Sequence, residues 1–135
     1  MQYLALIYID EKKLEALPPG QFEEMMRGCL THADELKRKG KLLQSQMLEP
    51  ASTARSIRQQ GGRLTATDGP FAEAKEVLGG FNLIEAADMD EAVEIAAIFP
   101  WHLVGCVEVR PVHAIESMRA RVFASENGQS KVSAR

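Results

Sequence analysis

Residues Tyr3–Ile9 read YLALIYI, and this almost uninterrupted apolar run decides the fold. Successive residues of a strand point to opposite faces of a sheet, so a strand that is apolar at nearly every position is buried on both faces. A helix follows, because apolar side chains recur at helical spacing from Phe22 to Leu36 and Gly40 comes directly after three cationic residues. A helix that covers one face of such a strand indicates a layered α+β protein.

The rest of the chain continues this alternation of strands and helices. Asp88 followed by Glu91 predicts a second helix that runs to Pro100. The Gly79-Gly80 pair predicts a β-bulge or a close approach of the backbone, and Gly61-Gly62 predicts a tight hairpin turn. The further predicted strands span Lys41–Leu48, Thr53–Gln60, Arg63–Thr67, Val77–Ala87 and Leu103–Val109. The order is therefore β-α-β-hairpin-β-α-β, the ferredoxin-like split βαβ arrangement with an added β-hairpin.

Two helices can cover only one face of such a sheet, although its first strand is apolar on both. A second copy of the sheet is the economical cover, so we expect a homodimer that forms a dimeric α+β barrel. The folded domain is predicted to span residues 1–113. Residues 114–123 are predicted to form a short helix with Ile115, Met118 and Val122 on one side, and residues 124–135 a disordered tail.

Composition bounds the class of protein. A chain of 135 residues with 45% hydrophobic residues is one globular domain. Its net charge of −3 and scattered basic residues argue against nucleic-acid binding. No apolar run is long enough to span a membrane, and the N-terminus does not resemble a signal peptide. Cys29 and Cys106 are expected to be small buried side chains in a reducing compartment, which indicates a cytoplasmic protein.

Residues Asp68–Glu76 read DGPFAEAKE and interrupt this ordinary pattern. Asp-Gly-Pro is a dense turn signal, and loops carry function more often than the elements they join. Asp68 is therefore a candidate general base if burial raises its pKa, although it could equally cap the turn. Lys75 is a candidate anchor for an anionic substrate; its alternative role is that of a solvated charge.

Three polar side chains are expected to face the cavity of the barrel. Glu108 and Arg110 alternate with apolar residues and share one side of the last strand, where they would form an ion pair or hold a carboxylate substrate. An interface salt bridge is the alternative. Tyr8 lies near the end of the first strand and could present its hydroxyl group to the cavity or pack as a half-buried core residue.

The histidines are the remaining titratable candidates. His32 lies at the edge of the apolar stripe of the first helix, as a proton shuttle or as a packing residue. His102 and His113 lack the spacing of metal ligands, so no metal site is expected. No phosphate-binding loop or dinucleotide-binding motif is present, so no cofactor is expected.

Three segments, Asp68–Glu76, Leu78–Phe81 and Glu108–Val112, resemble the DGPF branch of the YCII-related family. The resemblance implies a bacterial protein with a ferredoxin-like protomer in a dimeric α+β barrel. Simpler members of that family are similar to small lyases or dehydrochlorinases that use a helix histidine and an aspartate. Here Cys29 stands near the place of that histidine, and His32 lies one turn further along. Some members of the branch are linked to sigma factors.

Two functions follow as hypotheses. The first is a cofactor-independent acid–base enzyme of lyase or isomerase type that acts on a small organic molecule. Its catalytic residues would be Asp68, His32 and Tyr8, and its substrate-binding residues Lys75, Arg110, Glu108 and Phe71. The second is a non-catalytic module that binds a ligand or a sigma factor.

Two features distinguish these hypotheses. A buried Asp68 in a closed pocket would favour catalysis, whereas an exposed Ile95/Ile98 pair on the second helix would favour a binding module. A third reading makes the Asp-Gly-Pro motif purely architectural, as the bend that lets the barrel close.

Overall fold

The computed structural model describes residues 1–130; the last part of the predicted tail, residues 131–135, lies outside the described residues. The strands are β1 (Gln2–Asp10), β2 (Leu42–Met47), β3 (Arg55–Gln60), β4 (Arg63–Asp68), β5 (Glu76–Glu85) and β6 (Gly105–Pro111). The helices are α1 (Glu11–Glu15), α2 (Gln21–Arg38), α3 (Met89–Ile98) and α4 (Ile115–Ser130), with short 3₁₀ turns at Ala51–Thr53 and Pro100–Leu103.

The main sheet has four antiparallel strands in the order β2-β5-β1-β6. Each helical connection brings the chain back to a strand of this sheet, which is the predicted split βαβ topology. Strands β3 and β4 form a separate two-stranded hairpin that turns at Gly61-Gly62. The mixed α+β class, the ferredoxin-like order and the added hairpin are confirmed.

Two glycines bring the strands close together at the predicted bulge. Ile7 pairs with Gly80 and Tyr8 pairs with Leu78, so Gly79 is the extra residue of β5. A Cβ atom on Gly80 would lie 2.6 Å from the carbonyl oxygen of Gln46 on β2. Any side chain at position 80 would therefore push β2 and β5 apart.

The two faces of the sheet differ in their cover. Tyr3, Ala5 and Ile7 are buried beneath the helices, whereas Leu4 and Leu6, which alternate with them, are only half-buried. We call the second side the open face. We predict that a second copy of the sheet covers the open face. A single chain does not test this, so the dimer stays a prediction.

Cys106 corrects one sequence expectation. It pairs with Tyr8 across the ladder and therefore lies on the open face, where it is exposed. Cys29 is buried on α2, as expected. The prediction of two buried cysteines was thus right for one and wrong for the other, because strand β6 has only one face against the helices.

Helix α3 begins as predicted, but Ile95 lies on its inner face. The Asp88 carboxylate accepts a hydrogen bond from the Glu91 amide at 2.9 Å and caps the helix. The prediction that Ile95 would be exposed was wrong, because Ile95 packs in the core together with Ala92, one turn earlier. Val93 is exposed instead.

The C-terminal helix is longer than predicted, since α4 continues to Ser130 and so includes residues assigned to the tail. Arginine, alanine and glutamate are strong helix formers, and Glu116 pairs with Arg119 one turn later at 3.2 Å. Ile115, Val122 and Phe123 are exposed on this helix. The helix propensity of these residues therefore extends α4 into a segment where the lack of apolar periodicity had predicted no helix.

Candidate functional site

A cavity of about 300 Å³ lies between the first half of α2 and the covered face of the sheet. Its wall is mostly apolar and rich in sulfur and aromatic side chains. Phe22, Met26 and Cys29 contribute from α2, while Phe99 and Trp101 contribute from the segment after α3. A cavity of this size and lining suits a small, mainly apolar organic molecule.

Asn82 is a buried polar residue on the wall of this cavity. It lies in the middle of β5, its exposed fraction is 3%, and its side chain lines the cavity. The hydroxyl group of Ser45 on β2 donates a hydrogen bond of 2.5 Å to Asn82 Oδ1. The strand pairing that sets Ser45 opposite Asn82 thereby creates a polar spot in an apolar chamber.

Asp10 is a second buried polar residue, at the end of β1. Its Oδ1 atom accepts hydrogen bonds from the amides of Lys12 and Lys13 and so caps the short helix α1. Its Oδ2 atom lies 3.9 Å from the ammonium group of Lys75. The next residue, Glu11, is the first residue of α1 and lines the cavity.

Cys29 carries the cavity's thiol group, at the place where the family resemblance implies a histidine. Burial raises the pKa of the Cys29 thiol above its ordinary value because the thiolate would lose solvation. The thiol is therefore neutral near pH 7 and is a poor nucleophile.

Asp68, the predicted base, lies at the end of the hairpin. Its side chain is 93% exposed, and its Oδ1 atom lies 3.4 Å from Nε of Arg55. The turn that follows it depends on Gly69, which has a positive φ of 96° and donates its amide to the carbonyl oxygen of Ala54. Among the described residues, no backbone amide donates to the Asp68 carboxylate, so the predicted turn cap is not seen there.

The other two predicted catalytic residues lie elsewhere. His32 is exposed on the outer side of α2. Tyr8 is on the open face, where its hydroxyl group is 3.5 Å from Glu108 Oε1. Among the described residues that line the cavity, Asp68, His32 and Tyr8 do not occur. The structure does not bring the three together.

The predicted binding residues are also dispersed. Glu108 and Arg110 share the open face, as their alternation predicted. Lys75 stands beside Asp10, and Phe71 is exposed, with its carbonyl oxygen accepting a hydrogen bond from Arg58. Their roles toward a substrate stay predictions.

Within residues 1–130, no group of three or more His, Cys, Asp or Glu side chains is placed to hold a metal ion. Over the same part of the chain, no helix combines the length and hydropathy needed to cross a bilayer.

Sequence reasoning missed Asn82 and Asp10. The signal for Asn82 was a single amide inside the apolar segment Phe81–Ile84, where a buried polar group requires a reason. The signal for Asp10 was an N-cap residue directly after a buried strand. The cavity that makes Asn82 important is formed by helix packing and has no local sequence signal.

The fold and the cavity define a ferredoxin-like α+β protein with an internal apolar chamber. The family model for the YCII-related domain matches residues 1–116, so the chain belongs to the YCII-related family. It is 38% identical, over 96 residues, to an uncharacterized protein of Rhizobium meliloti; this alignment covers 71% of the chain and 77% of that protein.

One solved structure with a similar arrangement is 5-chloro-2-hydroxyhydroquinone dehydrochlorinase of Burkholderia phenoliruptrix, in complex with 2,5-dihydroxybenzoquinone. The sequence identity is 17%, the TM-score is 0.44, and the match covers 86% of this chain and 98% of that one.

Proposed function

We propose that this protein binds a small, mainly apolar organic molecule in the α2–sheet cavity and acts on it by cofactor-independent acid–base chemistry of lyase or isomerase type. The observation that carries the proposal is a mostly apolar cavity of about 300 Å³ whose lining includes two acidic residues, Glu11, which is half-buried, and Glu49, which is exposed. A carboxylate within hydrogen-bond reach of a bound molecule can transfer a proton to or from it.

The proposal assigns the proton transfer to Glu11. Nucleophilic attack would require a thiolate, and the Cys29 thiol is neutral because its pKa is raised. Asp10 positions Glu11, because it caps the first turn of α1, where Glu11 lies. Lys75 belongs to the DGPF segment, and its ammonium group stabilises the Asp10 carboxylate. The DGPF segment thereby has a role next to the cavity.

We further propose that the active form is a homodimer in which two open faces meet as a barrel. The centre of the open face is apolar and half-buried, and polar side chains border it on β6. The central residues are Leu4, Leu6, Phe81 and Leu83, and the bordering ones are Glu108 and Arg110. The DGPF segment, Asp68–Glu76, supports membership of the DGPF branch, and the free cysteines fit the bacterial cytoplasm as the proposed location.

The test compares Glu11→Gln with Glu15→Gln, a matched change of an exposed glutamate on the same short helix outside the cavity lining. A library of single-ring carbonyl compounds is screened by saturation-transfer NMR, and bound compounds are followed for turnover by mass spectrometry. We expect Glu11→Gln to retain binding and to lower turnover by about 10²–10⁴-fold. Glu15→Gln should behave like the wild type. Equal turnover in both variants would contradict the role of Glu11.

The second candidate is a non-catalytic ligand-binding or sigma-factor-associated module. The hairpin favours it, because Ile57 and Leu64 are 71% and 77% exposed on one face of β3–β4. Binding of library compounds without any turnover, together with association of purified sigma factor with the wild type and its loss in Ile57→Ser/Leu64→Ser, would support this candidate over the enzyme.

A further inference from the structure

We infer that Asn82 is the specificity-determining residue of the cavity, and that the ligand carries a hydrogen-bond acceptor oxygen, of carbonyl type, that binds the Asn82 side-chain amide. This inference rests on the proposed function and names its ligand class. The side-chain amide of Asn82 has an oxygen that accepts hydrogen bonds and a nitrogen that donates them, and the two atoms have different surroundings.

The oxygen half of the Asn82 amide is already occupied. Ser45 donates to Oδ1, which also explains why a serine lies on β2 at this level. The nitrogen half makes no hydrogen bond to any of the side chains or backbone groups that the structure describes. Because Nδ2 is not among the side-chain atoms that are fully sealed, its two N–H donors open onto the cavity that Asn82 lines.

Once a ligand excludes water from the cavity, an amide in this position is costly unless its donors find a partner. Burying a donor without a hydrogen bond costs about 1–3 kcal/mol, and the next inward-facing residue of the strand, Ile84, shows that an aliphatic side chain suits this face. A leucine at position 82 would avoid that cost. The free donors therefore point to an acceptor supplied by the ligand.

The dimensions and lining of the cavity restrict the ligand further. A cavity of about 150 Å³ can hold benzene, so about 300 Å³ accommodates one ring with a substituent. The Met26, Phe22 and Trp101 side chains favour the ring, and Asn82 favours an oxygen at one end. The same donors would stabilise the negative charge that develops on a carbonyl oxygen when a neighbouring C–H group loses its proton to a carboxylate.

The experiment uses two probes of nearly equal shape, acetophenone and α-methylstyrene, which differ in a carbonyl oxygen against a methylene group. Dissociation constants are measured by NMR titration of the full chain, and the Asn82 side-chain amide resonance is followed in ¹⁵N-labelled protein. We expect acetophenone to bind the wild type about tenfold more tightly. We also expect acetophenone, and not α-methylstyrene, to shift the Asn82 Nδ2 signals.

Two variants isolate the amide. Asn82→Leu should bring the two affinities within about twofold of each other. Gln44→Leu makes the same amide-to-leucine change on β2 outside the cavity lining, and it should keep the wild-type ratio. Should Asn82→Leu be poorly folded, the Asn82 resonances of the wild type still decide the matter.

The possible failures are distinguishable. If both probes bind the wild type with equal affinity and leave the Asn82 amide signals unchanged, the cavity is a ligand site as proposed, but this inference is overturned. If neither probe binds at the cavity, the inference and the proposed function fall together. A tenfold ratio that survives in Asn82→Leu would also overturn the inference, because another group would then be the donor.

Discussion

The two faces of the four-stranded sheet carry similar apolar residues but lie in different surroundings. On the covered face, Ile84 has no exposed surface and packs against the helices. On the open face, its neighbour Leu83 is only half-buried. One strand thus presents a completed core on one side and an uncovered apolar surface on the other.

The difference shows that an apolar face of a sheet is not necessarily covered by other parts of the same chain. The covered face is closed by the chain's own helices, and the imperfect fit of α2 over the sheet leaves the cavity there. The open face has no cover among the described residues of the chain. The proposed ligand site and the proposed dimer interface therefore lie on opposite sides of the same strands.

The largest expected effect is on the stability of the covered face. Ile84→Ala should lower the free energy of unfolding by about 2–5 kcal/mol, because it removes a fully buried side chain and leaves a void. Leu83→Ala is the matched change on the open face. In dilute protein it should cost about 1 kcal/mol, because the side chain keeps access to water there. Chemical denaturation measures both, and equal losses would contradict the contrast between the faces.

The next expected effect is on association through the open face. Leu6→Glu should raise the dissociation constant of the proposed dimer about 30-fold, which is ~2 kcal/mol, because it places a charge at the centre of the contact. Sedimentation equilibrium measures the constant. Leu30→Glu is the control, since Leu30 is an exposed leucine on α2. A wild type that is monomeric at every concentration would refute the barrel.

The reactivity of each cysteine probes one face of the sheet: Cys29 lies on the covered side and Cys106 on the open face. Cys106 should react with a thiol reagent in the native protein, and more slowly as protein concentration rises and the open face is covered. Cys29 should react far more slowly than Cys106, because it is buried and its thiol pKa is raised by burial. Labelling of Cys29→Ala and Cys106→Ala assigns each rate. A concentration-independent rate for Cys106 would place the interface elsewhere.

The smallest effect is electrostatic and lies at the edge of the covered side. The hydrogen bond from the Ala87 amide, together with Lys41, holds the pKa of the Glu91 carboxyl below its ordinary value. A lowered pKa in the folded state contributes stability above the ordinary value, about 4.3, and this is lost as pH falls through the folded pKa.

Glu91→Gln should therefore weaken the loss of stability on acidification below about pH 4.3. The measurement is thermal unfolding as a function of pH. Glu94→Gln, an exposed change on the same helix, serves as the control. An unchanged acid dependence in Glu91→Gln would show that this pair does not contribute.

Local sequence signals predicted most elements because their causes are local. The Gly61-Gly62 turn, the Gly79 bulge and the Asp88 cap each depend on a few adjacent residues. The candidate site was predicted less well. Asp68 has strong turn chemistry but projects into solvent, whereas Asn82 has a weak signal but lies inside the cavity. Turn residues report backbone geometry and say little about where a cavity forms.

The sequence by itself determined the α+β class, the strand order and the presence of an apolar face beyond the reach of its own helices, since these follow from side-chain periodicity and from the number of covering elements. Only the tertiary structure decided where the chamber lies, that Ile95 is buried and Cys106 exposed, and that the amide of Asn82 is left with free donors. The cavity and the Asn82 donors lie where α2, β2 and β5 meet, whereas the burial of Ile95 and the exposure of Cys106 depend on how α3 and β6 pack. Long-range packing of this kind is not encoded in any single segment.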